Sequence, residues 1–312
     1  MNTVDDKATP RARTQPPRRK EHRRTHTAAF VIGGFLVWVY LAVVVLHLLR
    51  NEIIVPAWIF IGAALVPATL MWVMTHRLRT TDTVTASQLV FASVVGGTLA
   101  LALGSTLDQL VGMIPQDHPN GGNGVVSLAL AGFVEEFAKG LLIVVVGWKF
   151  AKSTRNGLFV GGSVGLGFAV LETMGYITEF YQGVHPLATS AFIAFERGIT
   201  APFGHVLWSS LLGAALFAGA ARTGRFRLTW AVLGTYVGVA LLHGAWDSTS
   251  PIVSALTGNA ILAGFAEMGG AVVTILVGGL VWRHVARRSP APPLPAAAPG
   301  SPTGASAPAV TL

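Results

Sequence analysis

Cysteine is absent from this 312-residue chain, which excludes disulfides, thiolate-held iron–sulfur clusters and thiol catalysis. Charge is scarce: Asp, Glu, Lys and Arg make up 12% of the residues, against about 25% in a soluble domain. That shortage excludes both a water-exposed enzyme surface and general disorder. The HExxH helix that marks most zinc peptidases is missing as well. What is present is apolar: 52% hydrophobic residues and a mean hydropathy of +0.59, gathered in long runs. The expected fold is therefore an all-α membrane protein.

A spanning helix needs about 20 mostly apolar residues. Eight stretches meet this, at about 28–49, 53–74, 87–107, 125–148, 157–180, 200–221, 229–248 and 260–282. The first is too long for a signal-peptide core and is kept as a helix. Pro56 and Pro67 can kink the second without forbidding it. The net charge of +8 would suggest nucleic acid in a soluble protein. Here the Lys and Arg residues sit in short segments between spans, 19 on one side of the membrane and 2 on the other. Positive residues favour the cytoplasmic side, so a bundle of eight transmembrane helices with both termini cytoplasmic is expected. The bilayer, not nucleic acid, is the partner that the charge implies.

Residues 1–27 (basic) and 289–312 (rich in Pro and Ala) can bury no core and are expected to be disordered cytoplasmic tails around a membrane domain at 28–288. Gly161 with Gly165, and Gly234 with Gly238, are small pairs four apart that would let helices approach closely. Trp38, Trp58, Trp72, Trp148, Trp230 and Trp282 near span ends read as an aromatic belt.

Several ionisable residues fall inside spans: Glu135, Glu136 and Lys139 in the fourth, Glu172 in the fifth, His205 in the sixth, His243 and Asp247 in the seventh, and Glu267 in the eighth. Each costs about 2.5–3.5 kcal/mol near the bilayer centre, so such groups should face a protein interior or a wet cavity. Glu135/Lys139, Glu172/Tyr176 and His243/Asp247 are i,i+4 pairs, each on one helical face. At about 1.5 Å per residue from the outer span ends, Glu135 and Glu172 lie roughly 12–15 Å deep, and His205, His243 and Asp247 roughly 5–10 Å deep. One outward-opening cavity could hold them all. A Glu in apolar surroundings suits proton abstraction from water, and imidazoles can bind a metal or stabilise an oxyanion.

The stretch Glu135-Glu136-Phe137-Ala138-Lys139 fits EExxK, and Gly167-Phe168-Ala169 followed by Glu172 and Tyr176 fits GFAxxExxxY. Arg197 precedes His205 by eight residues, and His243 precedes Asp247 by four. In this order on successive helices, over about 125–250, the motifs resemble the PrsW family of intramembrane proteases, distant relatives of the CAAX-prenyl endopeptidases. One departure is Thr173, where the family commonly has Asn. The resemblance implies an endopeptidase that cleaves a membrane-anchored protein substrate, the best-known being an anti-sigma factor. It makes Glu135 and Glu136 the pair that activates water, with Glu172, His205 and His243 completing the site and Asp247 orienting or ligating. His205, His243 and Glu172 could hold Zn²⁺, and a metal-free glutamate mechanism stays open beside that. Two other readings compete: a proton- or ion-coupled transporter and an inactive membrane scaffold. The acids cluster in spans four to seven and show no mirrored repeat of the kind common in transporters.

Overall fold

A computed structural model describes residues 19–75, 83–113 and 124–289. Among these the chain forms eight helical rods and no strand. Helix α1 (Arg19–Tyr40) continues as a π-helix to Leu48, and α2 spans Val55–Val73. The third rod joins α3 (Ala86–Phe91) through a π-helical turn to α4 (Gly97–Gly112). Then follow α5 (Val125–Gly147), α6 (Thr154–Tyr181), α7 (Pro186–Thr223), α8 (Trp230–Thr257) and α9 (Ala260–Arg288). Side chains start several rods: Thr85 and Gln88 form a capping box, and Ser153, Thr229 and Asn259 accept hydrogen bonds from the first turns of α6, α8 and α9. Gly224 and Gly258, with φ of 72° and 63°, end α7 and α8 in the left-handed region open to glycine.

Six rods are long and apolar enough to cross a membrane. The two that fall short, α5 and α8, carry Glu135, Glu136 and Lys139, and His243 and Asp247. Several boundaries differ from the hydropathy reading. The α1 helix begins at Arg19, inside the stretch expected to be unstructured, while residues 1–18 and 290–312 lie outside the described part. The α7 helix starts at Pro186 rather than 200, and α8 runs through Pro251 to Thr257 where a loop was expected from 249. The helices run past the apolar stretches that hydropathy marks.

Helix α6 is the centre of the bundle, buried along nearly its whole first half. It meets α7 through glycine: a Cβ at Gly157, Gly161 or Gly165 would overlap the backbone of Gly213, Ser209 or His205. A second close crossing sets Gly132 of α5 against the backbone of Gly244 in α8. Gly234 and Gly238, expected to serve the same purpose, have no neighbour within 4 Å of where a Cβ would stand. Gly161→Ala should therefore destabilise the protein by about 1–3 kcal/mol through overpacking. Gly234→Ala should be neutral or stabilise by up to about 1 kcal/mol through helix propensity. Thermal unfolding of both variants in one detergent checks the pair.

The tryptophan belt holds only in part. Trp148 and Trp230 are exposed, but Trp38 and Trp58 are buried and stack on each other at 5.5 Å. They form a second core with Ile59, Ala63, Ile177 and Ala194, which ties α1 and α2 to α6 and α7.

Candidate active site

The two glycine crossings set the site. Glu136 lies one turn after Gly132, and His243 directly precedes Gly244, so the α5–α8 contact brings these side chains together. Gly165 abuts the His205 carbonyl, which aligns α7 with the Glu172 face of α6. Glu135, Glu136, Glu172, His205, His243 and Asp247 are all drawn into one network.

Lys139 is its hub. Its fully buried ammonium donates to Glu135 Oε2 at 3.1 Å and to Glu136 Oε1 at 2.9 Å, and lies 2.9 Å from His205 Nδ1. It also stands 3.8 Å over the Phe168 ring, a favourable seat for a cation. An ammonium has no acceptor, so His205 Nδ1 must accept, which puts that ring's proton on Nε2. His205 Nε2 then donates to Glu172 Oε2 at 3.0 Å. Arg197 Nη2 donates to the same oxygen at 2.8 Å, and its guanidinium covers the Tyr176 ring at 3.7 Å. Tyr176 thus supports Arg197 through its ring face.

The second histidine is held in the same manner. His243 Nδ1 lies 3.1 Å from Glu136 Oε1, while Nε2 faces Glu135 Oε2 at 3.6 Å and Asp247 Oδ2 at 3.4 Å. Two carboxylate oxygens around one ring nitrogen require a shared proton there, on the ring or on an acid. Trp208 stacks on His243 at 4.5 Å and meets His205 edge-on at 5.4 Å, giving the site a dry aromatic floor.

On one side the network opens. A cavity of about 370 Å³ between the ends of α4 and α6 is lined by Asp108, Gln109, Glu135, Glu172, Tyr176 and Glu179 among others. Glu135 borders it, whereas Glu136 is wholly enclosed. Asp108 was missed in the sequence because the third span was ended at 107; α4 carries it one turn further into the cavity wall. His205 lies 19 residues into α7 and His243 14 residues before the end of α8, roughly 28 Å and 21 Å from those helix ends. Both histidines stand at the level of Glu135 and Glu172, which they contact.

The donor set fits a metal of the zinc type. Glu135, His205 and His243 each offer one ligand atom, all within 4.8 Å of one another. The carboxylate in this trio is Glu135, in place of the Glu172 read from the sequence. Glu172 instead anchors His205 through Nε2, as Glu136 anchors His243 through Nδ1. Carboxylates commonly orient ligating histidines in this way. Because Lys139 bonds two of the three donors, its ammonium and a dication are alternative occupants of the same place.

Residues 83–281 match the sequence profile of a family described as PrsW family intramembrane metalloproteases. Protease PrsW of Bacillus subtilis (strain 168) is 28% identical over 137 residues, which cover 43% of this chain and 58% of that protein. No solved structure matches the chain.

Proposed function

This chain belongs to the PrsW family of intramembrane proteases, and from that premise we propose that it hydrolyses a peptide bond of a membrane-anchored protein inside the bilayer. The observation that carries the reading is Glu135, the carboxylate of a buried Glu/His/Lys network that also borders a polar cavity. Lipid supplies no water, so hydrolysis at this depth needs such a cavity.

In this mechanism Glu135 takes a proton from a cavity water as its oxygen attacks the scissile carbonyl. The new C–O bond leaves negative charge on the carbonyl oxygen, and Lys139 and Arg197 are the nearby cations able to oppose it. As the C–N bond breaks, the proton held between Glu135 and His243 Nε2 passes to the departing amine. Glu136 and Asp247 keep His243 in place, and Glu172 does the same for His205. A zinc ion held by Glu135, His205 and His243 in place of the Lys139 ammonium would supply Lewis acidity and a more acidic water, with Glu135 then a ligand rather than the base.

The orientation that suits this reading has eight spans and both termini in the cytoplasm, with the acidic cavity at the outer face. The substrate is then a protein whose anchor reaches that face. A membrane-anchored anti-sigma factor is the candidate that the family resemblance supplies.

The test uses the purified full chain in detergent with a panel of single-span membrane proteins. Cleavage that the wild type performs and Glu135→Gln lacks supports the proposal; no cleavage of any panel member at matched folding contradicts it. Metal content answers a separate question. The wild type should hold stoichiometric zinc, and His243→Gln should lose most of it. Full activity after exhaustive chelation, with no bound metal, would leave Glu135 and Lys139 to act without it.

A further inference from the structure

The end of the bundle opposite the acidic cavity carries a second feature. A cleft of about 400 Å³ lies there between the first turn of α6 and the last turns of α9. Arg155, Arg283 and Arg287 line it, together with Trp282 and the buried Leu158 and Phe159, and among the described residues no carboxylate does. Arg283 and Arg287 are one turn apart on one face of α9, both exposed, and neither forms an ion pair among the described residues. The sequence offers them little locally, since no Asp or Glu follows Glu267. Arg155 leans over Phe159, 5.7 Å from the ring centre, and its Nη1 donates to the Ser289 carbonyl at 3.4 Å.

Positive charge at a membrane face is ordinary, but its placement here is not that of a solvated fringe. Guanidinium groups from two helices converge on one cleft whose floor is apolar, and an indole stands at its rim. At the same height, on the other side of α9, an apolar groove of about 380 Å³ runs between α7, α8 and α9 past Val281 and Val285. A ligand for this place needs a compact anionic group for the arginines and hydrocarbon for the floor and groove.

We propose that this cleft is a binding site for an anionic phospholipid, with its phosphate-bearing headgroup on Arg283, Arg287 and Arg155 and its acyl chains against Leu158, Phe159 and the neighbouring groove. Basic pockets between transmembrane helices recognise such headgroups, and each arginine near the surface adds to the attraction. The bidentate fork of arginine suits phosphate oxygens. The site is independent of the peptidase reading, because it lies at the far end of α6, roughly 25 Å along that helix from the cavity.

Native mass spectrometry of the full chain, released from nanodiscs of phosphatidylcholine doped with phosphatidylglycerol, tests it. The wild type should retain one phosphatidylglycerol in preference to phosphatidylcholine. The Arg283→Gln/Arg287→Gln pair should lower that retention at least tenfold, and Arg287→Gln alone about threefold to fivefold. Arg222→Gln/Arg225→Gln removes equal charge from the same end of the bundle and should leave retention unchanged. Equal loss in both pairs would reduce the effect to general surface charge and overturn the site. Absence of anionic preference in the wild type would overturn it as well. So would displacement of the lipid by millimolar inorganic phosphate, which would make the cleft a simple anion site.

Discussion

Glu135→Gln is expected to lower cleavage by about 10²–10⁴-fold while leaving the folded protein at its normal level. Glutamine keeps the size of the side chain and can still accept from Lys139, so the network around it survives. What it cannot do is take a proton from water. Glu136→Gln should also impair cleavage, for a different reason. Glu136 is fully enclosed and its Oε1 serves both Lys139 and His243; glutamine keeps an accepting oxygen but gives up the negative charge that holds both partners, so His243 is held less firmly. The two variants should therefore separate by structure. Glu135→Gln should keep the wild-type environment of Trp208, which stacks on His243, whereas Glu136→Gln should alter it. Fluorescence of Trp208, isolated by replacing the other tryptophans, reads that difference. Wild-type cleavage by Glu135→Gln would remove this carboxylate from the chemistry.

The second large effect is expected at Lys139. Substitution by methionine removes the ammonium in direct contact with Glu135 and Glu136 and leaves two buried carboxylates with only His243 against both. Breaking a buried ion pair from one side costs about 3–5 kcal/mol, a fall in melting temperature on the order of 10 °C for a domain of this size. Adding Glu136→Gln to Lys139→Met should recover part of that loss, because one buried charge fewer then needs a partner. Zinc should bind Lys139→Met more tightly than the wild type, since the ammonium no longer competes for Glu135 Oε2 and His205 Nδ1. An unchanged melting temperature in Lys139→Met would mean that the carboxylates are not held by this ammonium.

The parts of the site that a helical period encodes were legible in the sequence. Glu135, Glu136 and Lys139 sit at i, i+1 and i+4, and His243 with Asp247 at i and i+4, so their closeness follows from helix geometry alone. Their apolar surroundings marked them as interior groups. Contacts between helices were less legible. The convergence of Arg197 and His205 on one oxygen of Glu172 depends on how α6 meets α7, and that crossing is set by glycines whose partners lie about 50 residues away. The same limit explains the tryptophans. Trp38 and Trp58 carry the sequence marks of an interfacial belt, and only tertiary packing stacks them in a core. Hydropathy also ended the third span at 107, short of the end of α4 at Gly112, which hid Asp108.

The central claim is peptide-bond hydrolysis by the Glu135 network. Its most direct test compares the N-termini of all membrane proteins in cells expressing the wild type or Glu135→Gln at equal levels. The account predicts new N-termini near the outer ends of single-span proteins, present with the wild type and missing with the variant. Identical profiles under several envelope stresses would contradict it.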